Sequence, residues 1–340
     1  MVAVSSPWNI TASQFPDAET MADKLRFFVS YAILAPSSHN TQPWRFQLTD
    51  NRIDLYADRT RALPVMDPDD RELFMSCGAA LYNLRLAMRH FGYTDTVVLL
   101  PDPNSPDLVA RVDVTWPGRA TGEEHDLFWA IPRRRTNRFI YTSQPVPVIV
   151  IKRFETIARA EGVTFHVVRG DDRRHAVADL IAEADRIQWA DKRFRRELAA
   201  WLHPERHHSR DGIPGHATSV AELVAYSGPF LLRTFDWGRG QAAKDRQLAT
   251  GSPLLAVLET EQDTPTAWLE AGQALERVLL QACAAGLAAS YLNQPIEVTD
   301  LRQRLGALVD VAGFPQLLLR MGYGPEVEPT PRRGLDEVIR

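Results

Sequence analysis

Apolar residues recur at helical spacing from Asp17 to Ala35, with Leu25, Phe28 and Ala32 on one face. Pro36 stops the run, because the residue before a proline is pushed out of helical geometry. After a polar interval, Arg45–Leu48 and Arg52–Ala57 alternate apolar and polar side chains around Thr49-Asp50-Asn51, which predicts a β-hairpin. Helical spacing returns from Asp69-Asp70 through His90, with the acids at the positive helix end and Gly92 placed to close the helix. Strands are expected at Thr96–Leu100 and Leu108–Trp116, then a short helix at Glu123–Ile131 and an extended link at Tyr141–Pro147. Helices at Val150–Ala160 and Asp172–Leu202 bracket a strand at Val163–Val168. A buried strand at Leu254–Glu259, helices at Thr266–Ala285 and Leu301–Val309, and a strand at Gln316–Met321 complete the pattern. Between them, HPERHHSRDGIPGH (His203–His216) is a long polar loop, and a flap over residues 203–240 is expected.

Two of these helices echo each other. Gly78–Gly92 reads GAALYNLRLAMRHFG and Gly272–Gly286 reads GQALERVLLQACAAG. Both begin and end with glycine, share AL at the third and fourth positions and share a leucine at the ninth, at a constant offset of 194 (272 − 78). Such spacing predicts a chain of two related halves.

Composition narrows the function. The 340 residues are 45% apolar and 24% charged, enough for two domains or two halves of one unit. A net charge of −4 argues against general nucleic-acid binding. No apolar run has the length of a membrane span, and the start lacks a secretion-signal pattern. Cys77 and Cys283 lie in apolar helical patterns without CxxC spacing, so both are expected as buried free thiols in a cytoplasmic protein. His203, His207, His208 and His216 fit no metal-binding framework, and no metal is expected. Neither a GxSxG elbow nor a GxGxxG or phosphate-binding loop is present.

The chemistry concentrates at PSSHNTQPW (Pro36–Trp44), between a helix end and a sheet edge. By residue type alone it is either a turn with a core tryptophan or a ledge that reads the polar edge of a planar ligand. The string resembles the PSxxNxQPW signature of the nitroreductase family of flavin enzymes. Arg134-Arg135-Thr136-Asn137-Arg138 is similar to that family's RxSxR motif, and Arg332-Arg333-Gly334-Leu335-Asp336-Glu337-Val338 to its closing RRPLDEV, with Gly334 in place of proline.

The resemblance implies an α+β, nitroreductase-like fold. Its two related halves, 1–130 and 131–340, would be fused as an intramolecular pseudo-dimer, each with a mixed or antiparallel sheet flanked by helices. The Acg-like, double-length branch of actinobacterial NAD(P)H nitroreductases is the part of the family it resembles most. By that likeness flavin mononucleotide (FMN) binds once per chain. Pro36, Ser37, Ser38, His39, Asn40 and Gln42 come from the first half, and Arg134, Thr136, Arg138, Arg332 and Arg333 from the second. Arg134, Thr136 and the closing arginines would hold phosphate, and Arg138 the pyrimidine edge. Asn293 and Gln294 are further candidates beside the ring; His39 is either structural or a proton donor. A mirror site would need RxSxR before Asp17 and PSxxN within Trp189–Pro214, and neither is there. The implied activity is ping-pong reduction of nitroaromatic or quinone-type acceptors, with NAD(P)H as transient co-substrate, by a monomer or homodimer. The alternatives are a flavin-sequestering protein with little turnover and a partner-binding protein without flavin.

Overall fold

Thr20 opens helix α1 (Met21–Ala32): its side chain accepts from Asp23 N, and the Asp23 carboxylate accepts in return from Thr20 N. In this computed structural model, which describes residues 6–203, 209–214 and 237–340, α1 ends at Ala32. Residues 33–35 turn out of the helix ahead of Pro36, so the stop falls a little before the expected Ala35. Strands β1 (Trp44–Thr49) and β2 (Arg52–Ala57) form the expected hairpin, Trp44 opposite Ala57 and Thr49 opposite Arg52. Helix α2 (Arg71–His90) follows. Its first turn is capped by Asp67, which accepts from Leu73 N at 2.9 Å; the Asp70 side chain accepts no capping hydrogen bond. Strands β3 (Thr94–Leu99) and β4 (Leu108–Thr115) and helix α3 (Gly122–Phe128) complete the first set, in an antiparallel sheet of order β1-β2-β4-β3.

The second set is α4 (Val148–Ala160), β5 (Thr164–Val167), α5 (Asp171–Ala190), α6 (Lys192–Trp201), β6 (Leu202–His203), β7 (Ile213–Pro214), α7 (Gly238–Gly251), β8 (Leu254–Thr260), α8 (Pro265–Ala284), β9 (Ala288–Tyr291), α9 (Gln294–Glu297), α10 (Thr299–Leu308), β10 (Phe314–Gly322) and α11 (Leu335–Val338). Its sheet is also antiparallel, ordered β5-β8-β10-β9. The helix expected over Asp172–Leu202 is two helices. Asp191 leaves helical geometry and its side chain accepts from Arg193 N at 2.7 Å, starting α6. Helix α7 and strand β9 were not expected, because one carries few apolar residues and the other is only four residues long. Much of the expected flap lies outside the described residues.

The repeat is physical. Helices α2 and α8 cross at Gly78 and Gly272: a Cβ on Gly78 would lie 2.2 Å from Leu269 O, and one on Gly272 only 2.1 Å from Met75 O. Only glycine permits that approach. Both helices then end identically. Gly92 and Gly286 take left-handed φ of 84° and 73°. Tyr93 N donates to Met88 O at 3.0 Å, and Leu287 N donates to Ala282 O at 2.8 Å, the same closing bond shifted by the same offset. The cores interlock across this crossing: Leu269 and Leu280 of α8 belong to the first half's core, and Met75 of α2 to the second's.

Each sheet also borrows chain from elsewhere. Thr136 bridges to Ala289 at the edge of the second sheet, and Ile339 bridges to Phe46 at the edge of the first. These crossings carry the two arginine-rich segments to the ledge.

Candidate functional site

The ledge is bent into shape by unusual backbone. His39, Asn40 and Gln42 all have positive φ, at 51°, 54° and 53°. Such residues cost on the order of 1–3 kcal/mol each unless their surroundings hold them. Here they are held. Gln42 N donates to Ser37 Oγ at 2.9 Å, and Asn40 Nδ2 donates to Gly212 O at 2.9 Å and Pro331 O at 3.0 Å. Asn40 Oδ1 accepts from Arg332 Nη1 at 2.8 Å. Gln42 Oε1 accepts from Arg333 N at 2.8 Å, and its carbonyl accepts from Arg333 Nη1 at 3.0 Å. The first-half ledge and the late arginines therefore meet directly.

Arg134 joins them, since its Nη2 and that of Arg332 both donate to Leu34 O, at 3.2 and 3.3 Å. Two buried guanidiniums share one carbonyl, while Arg134 Nε and Nη1 and Arg332 Nε find no hydrogen-bond partner among the described residues. Glu276 Oε1 stands 3.5 Å from Arg134 Nε, an ion pair too long for a good hydrogen bond. Burial, then Arg134 and Arg135, push the Arg332 pKa well below its usual range. Trp8 packs against Arg332 and Arg135, with centroid distances of 4.8 and 4.0 Å. Adjacent buried cations with unused N–H groups are the donor set that a phosphate dianion satisfies.

In front of this frame is a cavity of about 270 Å³. Pro36, Ser37, Ser38 and His39 line it from the ledge, Thr136 and Arg138 from the RxTxR segment, and Asn293 and Gln294 from the end of β9. Asn40, Gln42, Arg134, Arg332 and Arg333 are not on its wall: Asn40 binds Arg332, Gln42 binds Arg333, and Arg134 shares the Leu34 carbonyl with Arg332. His39 is pushed down to about 4 by burial and then by Arg138, so its imidazole is neutral at pH 7. Ser38 Oγ donates to Glu72, whose other oxygen accepts from Asn293 Nδ2 at 3.3 Å and pairs with Arg71 at 3.2 Å.

Part of the wall was missed by sequence reasoning. Between β5 and β8 the chain inserts α5, α6 and α7, where the first half has a tight hairpin. This insertion supplies Trp189, Phe194, Leu198 and Leu202 as an apolar face, and Asp185, Gln188 and Asp245 as a polar one. A signal existed: Ala178, Ile181 and Ala184 mark the buried face of α5, and the same face continues through Asp185 and Gln188.

The mirror position differs. In the first half the link from α1 to β1 is residues 33–43; its counterpart from α4 to β5 is residues 161–163, not Trp189–Pro214. That position is filled by charge. Arg277, one repeat on from Asn83, pairs with Glu161 at 2.7 Å and Glu123 at 3.2 Å, and Glu123 also pairs with Arg153 at 2.5 Å. Among the described residues no group of His, Cys, Asp and Glu could hold a metal ion, and no helix is long and apolar enough to cross a membrane. His207, His208 and His216 lie outside the described residues.

The nitroreductase family model matches residues 131–323. The chain is 35% identical to "Putative NAD(P)H nitroreductase Rv3131" of Mycobacterium tuberculosis, over 96% of this chain and 93% of that one. It is 32% identical to "Putative NAD(P)H nitroreductase acg" of the same organism, over 95% and 97%. In fold alone it is similar to the crystal structure of "a putative nitroreductase" from Anabaena variabilis: TM-score 0.51, 10% identity, covering 94% of this chain and 91% of that one. Matched along nearly its whole length by full-length relatives, the chain belongs to the nitroreductase family.

Proposed function

We propose that the protein binds one FMN per chain where the halves 1–130 and 131–340 meet, and uses it to pass electrons from NAD(P)H to a quinone or nitroaromatic acceptor. The observation that carries this reading is the convergence of Asn40 with Arg332 and Arg134, whose unused N–H groups are buried. Thr136, of the same segment as Arg134, and Pro36, next to the Ala35 carbonyl that accepts from Arg332, line the cavity. Bound FMN supplies a ring that accepts and returns a hydride. The chain's own residues do the rest. Arg134 and Arg332 bind phosphate, and Thr136 adds a hydroxyl from the same segment. Arg138, on the cavity wall, favours negative charge on a neighbouring ring edge, which raises its affinity for electrons. The Pro36–His39 ledge supports the ring, and Trp189, Phe194 and Leu198 keep water from it.

A second reading, retention of FMN with little turnover, is favoured by residues 209–214. Gln42 Nε2 donates to Arg210 O at 2.8 Å and Asn40 to Gly212 O, while Asp211 pairs with Arg61, so this segment is tied onto the ledge. Anaerobic stopped-flow separates the two. On the first reading NADPH bleaches the yellow protein and an added quinone restores the colour over many cycles; on the second, bleaching or recovery fails. Absorbance of the purified protein is expected to give one FMN per chain, and two per chain would remove the single-site assignment.

A further inference from the structure

The wall supplied by the insertion carries two acids that the reading above leaves unused. Asp185 on α5 and Asp245 on α7 line the cavity and are only 1% and 5% exposed. A single amide nitrogen reaches both: Gln294 Nε2 donates to Asp245 Oδ2 at 2.8 Å and to Asp185 Oδ1 at 3.3 Å. Gln241 Nε2 donates to the same Asp245 oxygen at 2.8 Å. Carboxylates drawn together by one donor in a buried site cannot both stay ionised, so the pair keeps a proton. Asp185 Oδ2 receives no hydrogen bond from an N–H or O–H group among the described residues, and its residue is on the cavity wall.

We propose that Asp185 is a catalytic acid, held protonated by its pairing with Asp245, and that it delivers this proton from Oδ2 to the acceptor being reduced. The proposal rests on the flavin-dependent reading above. With a quinone acceptor, two electrons and one proton arrive as hydride from reduced flavin. The Asp185 O–H bond breaks, a quinone O–H bond forms, hydroquinone leaves, and the carboxylate regains a proton from solvent. Of the other groups on the cavity wall, His39 is neutral imidazole at pH 7, and Glu297, raised by burial and then by Glu72, accepts from Gln188.

The surroundings agree. Burial, then Asp245, raise Asp185 to about 8, and burial raises Asp245. The cations in range are Arg186 on α5, Lys244 on α7, Arg320 on β10, and Arg138. On the α9 side, Glu297 accepts from Gln188 Nε2 at 2.6 Å. Because the folded-state value lies above the ordinary carboxyl range, the donor is loaded below about pH 8 and empties as pH rises through it.

Asp185→Asn keeps the size of the side chain and an oxygen for Gln294, so its FMN content and melting temperature serve as folding controls. Rapid mixing is expected to show reduction by NADPH within about twofold of wild type, and reoxidation by a quinone at pH 7 slower by about 100-fold, within the range for general-acid catalysis. Asp245→Asn should move the alkaline limb of reoxidation to lower pH, because it removes the neighbour that raises Asp185. Infrared spectra in H2O and D2O give a readout without turnover: at pH 7 wild type should show one protonated carboxyl more than Asp185→Asn/Asp245→Asn. Wild-type reoxidation rates in Asp185→Asn, or no such infrared difference, would overturn the acid while leaving the flavin reading intact. If NADPH does not bleach wild type, both fall together.

Discussion

The link from α1 to β1 and the link from α4 to β5 do the same topological job in the two halves, yet one spans residues 33–43 and the other only 161–163. The long one carries three left-handed residues and meets two arginines from the far half. The short one leaves room for nothing but side chains, and Arg277, Glu161, Glu123 and Arg153 occupy the space. Duplicated scaffolding thus does not entail duplicated chemistry. The longer loop meets the far arginines, and ion pairs fill the space beside the shorter one.

The hardest test is of the shared scaffold. Gly78→Ala or Gly272→Ala forces a methyl into backbone at about 2 Å, and a loss of about 3 kcal/mol or more is expected, at the upper end of overpacking. Urea unfolding measures it, and near-wild-type stability would mean that the crossing is not as close as described. Next comes the contrast between sites. Arg332→Met should weaken FMN binding by roughly 100-fold, in keeping with loss of a buried charged contact. Arg277→Met, at the filled mirror position, should leave FMN affinity unchanged. Equal effects in a fluorescence titration would erase the distinction between the two sites.

Protonation gives a smaller effect confined to the ledge. His39 is lowered to about 4 when folded, so it binds fewer protons than in the unfolded chain between about pH 4 and its ordinary value near 6.5. The stability linked to it is complete above that ordinary value and is lost as pH falls through the folded one. Melting temperature should therefore fall more steeply from pH 6.5 to 4 in wild type than in His39→Gln, and parallel curves would show that His39 is not held neutral. The smallest expected effect tests the repeat itself. Gly92→Ala and Gly286→Ala meet no close neighbour, so each should lose only about 1–2 kcal/mol, from left-handed backbone alone. A large inequality between the two would mean that the helix ends are not equivalent.

Much of this was legible in the chain where the chemistry is local. PSSHNTQPW and RRTNR each put several donors and acceptors within a few residues, and the glycines of α2 and α8 kept their spacing because the crossing and the turn each require glycine. Direction was not legible. Only the fold shows that Asn40 and Gln42 face Arg332 and Arg333, that Arg134 and Arg332 share one carbonyl, and that Ser38, Thr136 and Arg138 line the cavity. Asp185 and Asp245 were hidden for another reason. They sit on separate helices and meet beside Gln294, so no string of neighbouring residues contains them. The break at Asp191 was missed because a side chain that caps a new helix looks, in sequence, like one more polar residue on a long one.

The bond between Asn40 and Arg332 spans 292 residues of chain. During synthesis the bent ledge therefore leaves the ribosome long before the arginines that steady it. Until they arrive, the bend keeps its local bond from Gln42 N to Ser37 Oγ but lacks those to Arg332 and Arg333, so the full frame closes among the last parts of the molecule. On the flavin reading, cofactor loading would then be a late event in the life of the polypeptide, and a first half made alone would carry the signature without the arginines.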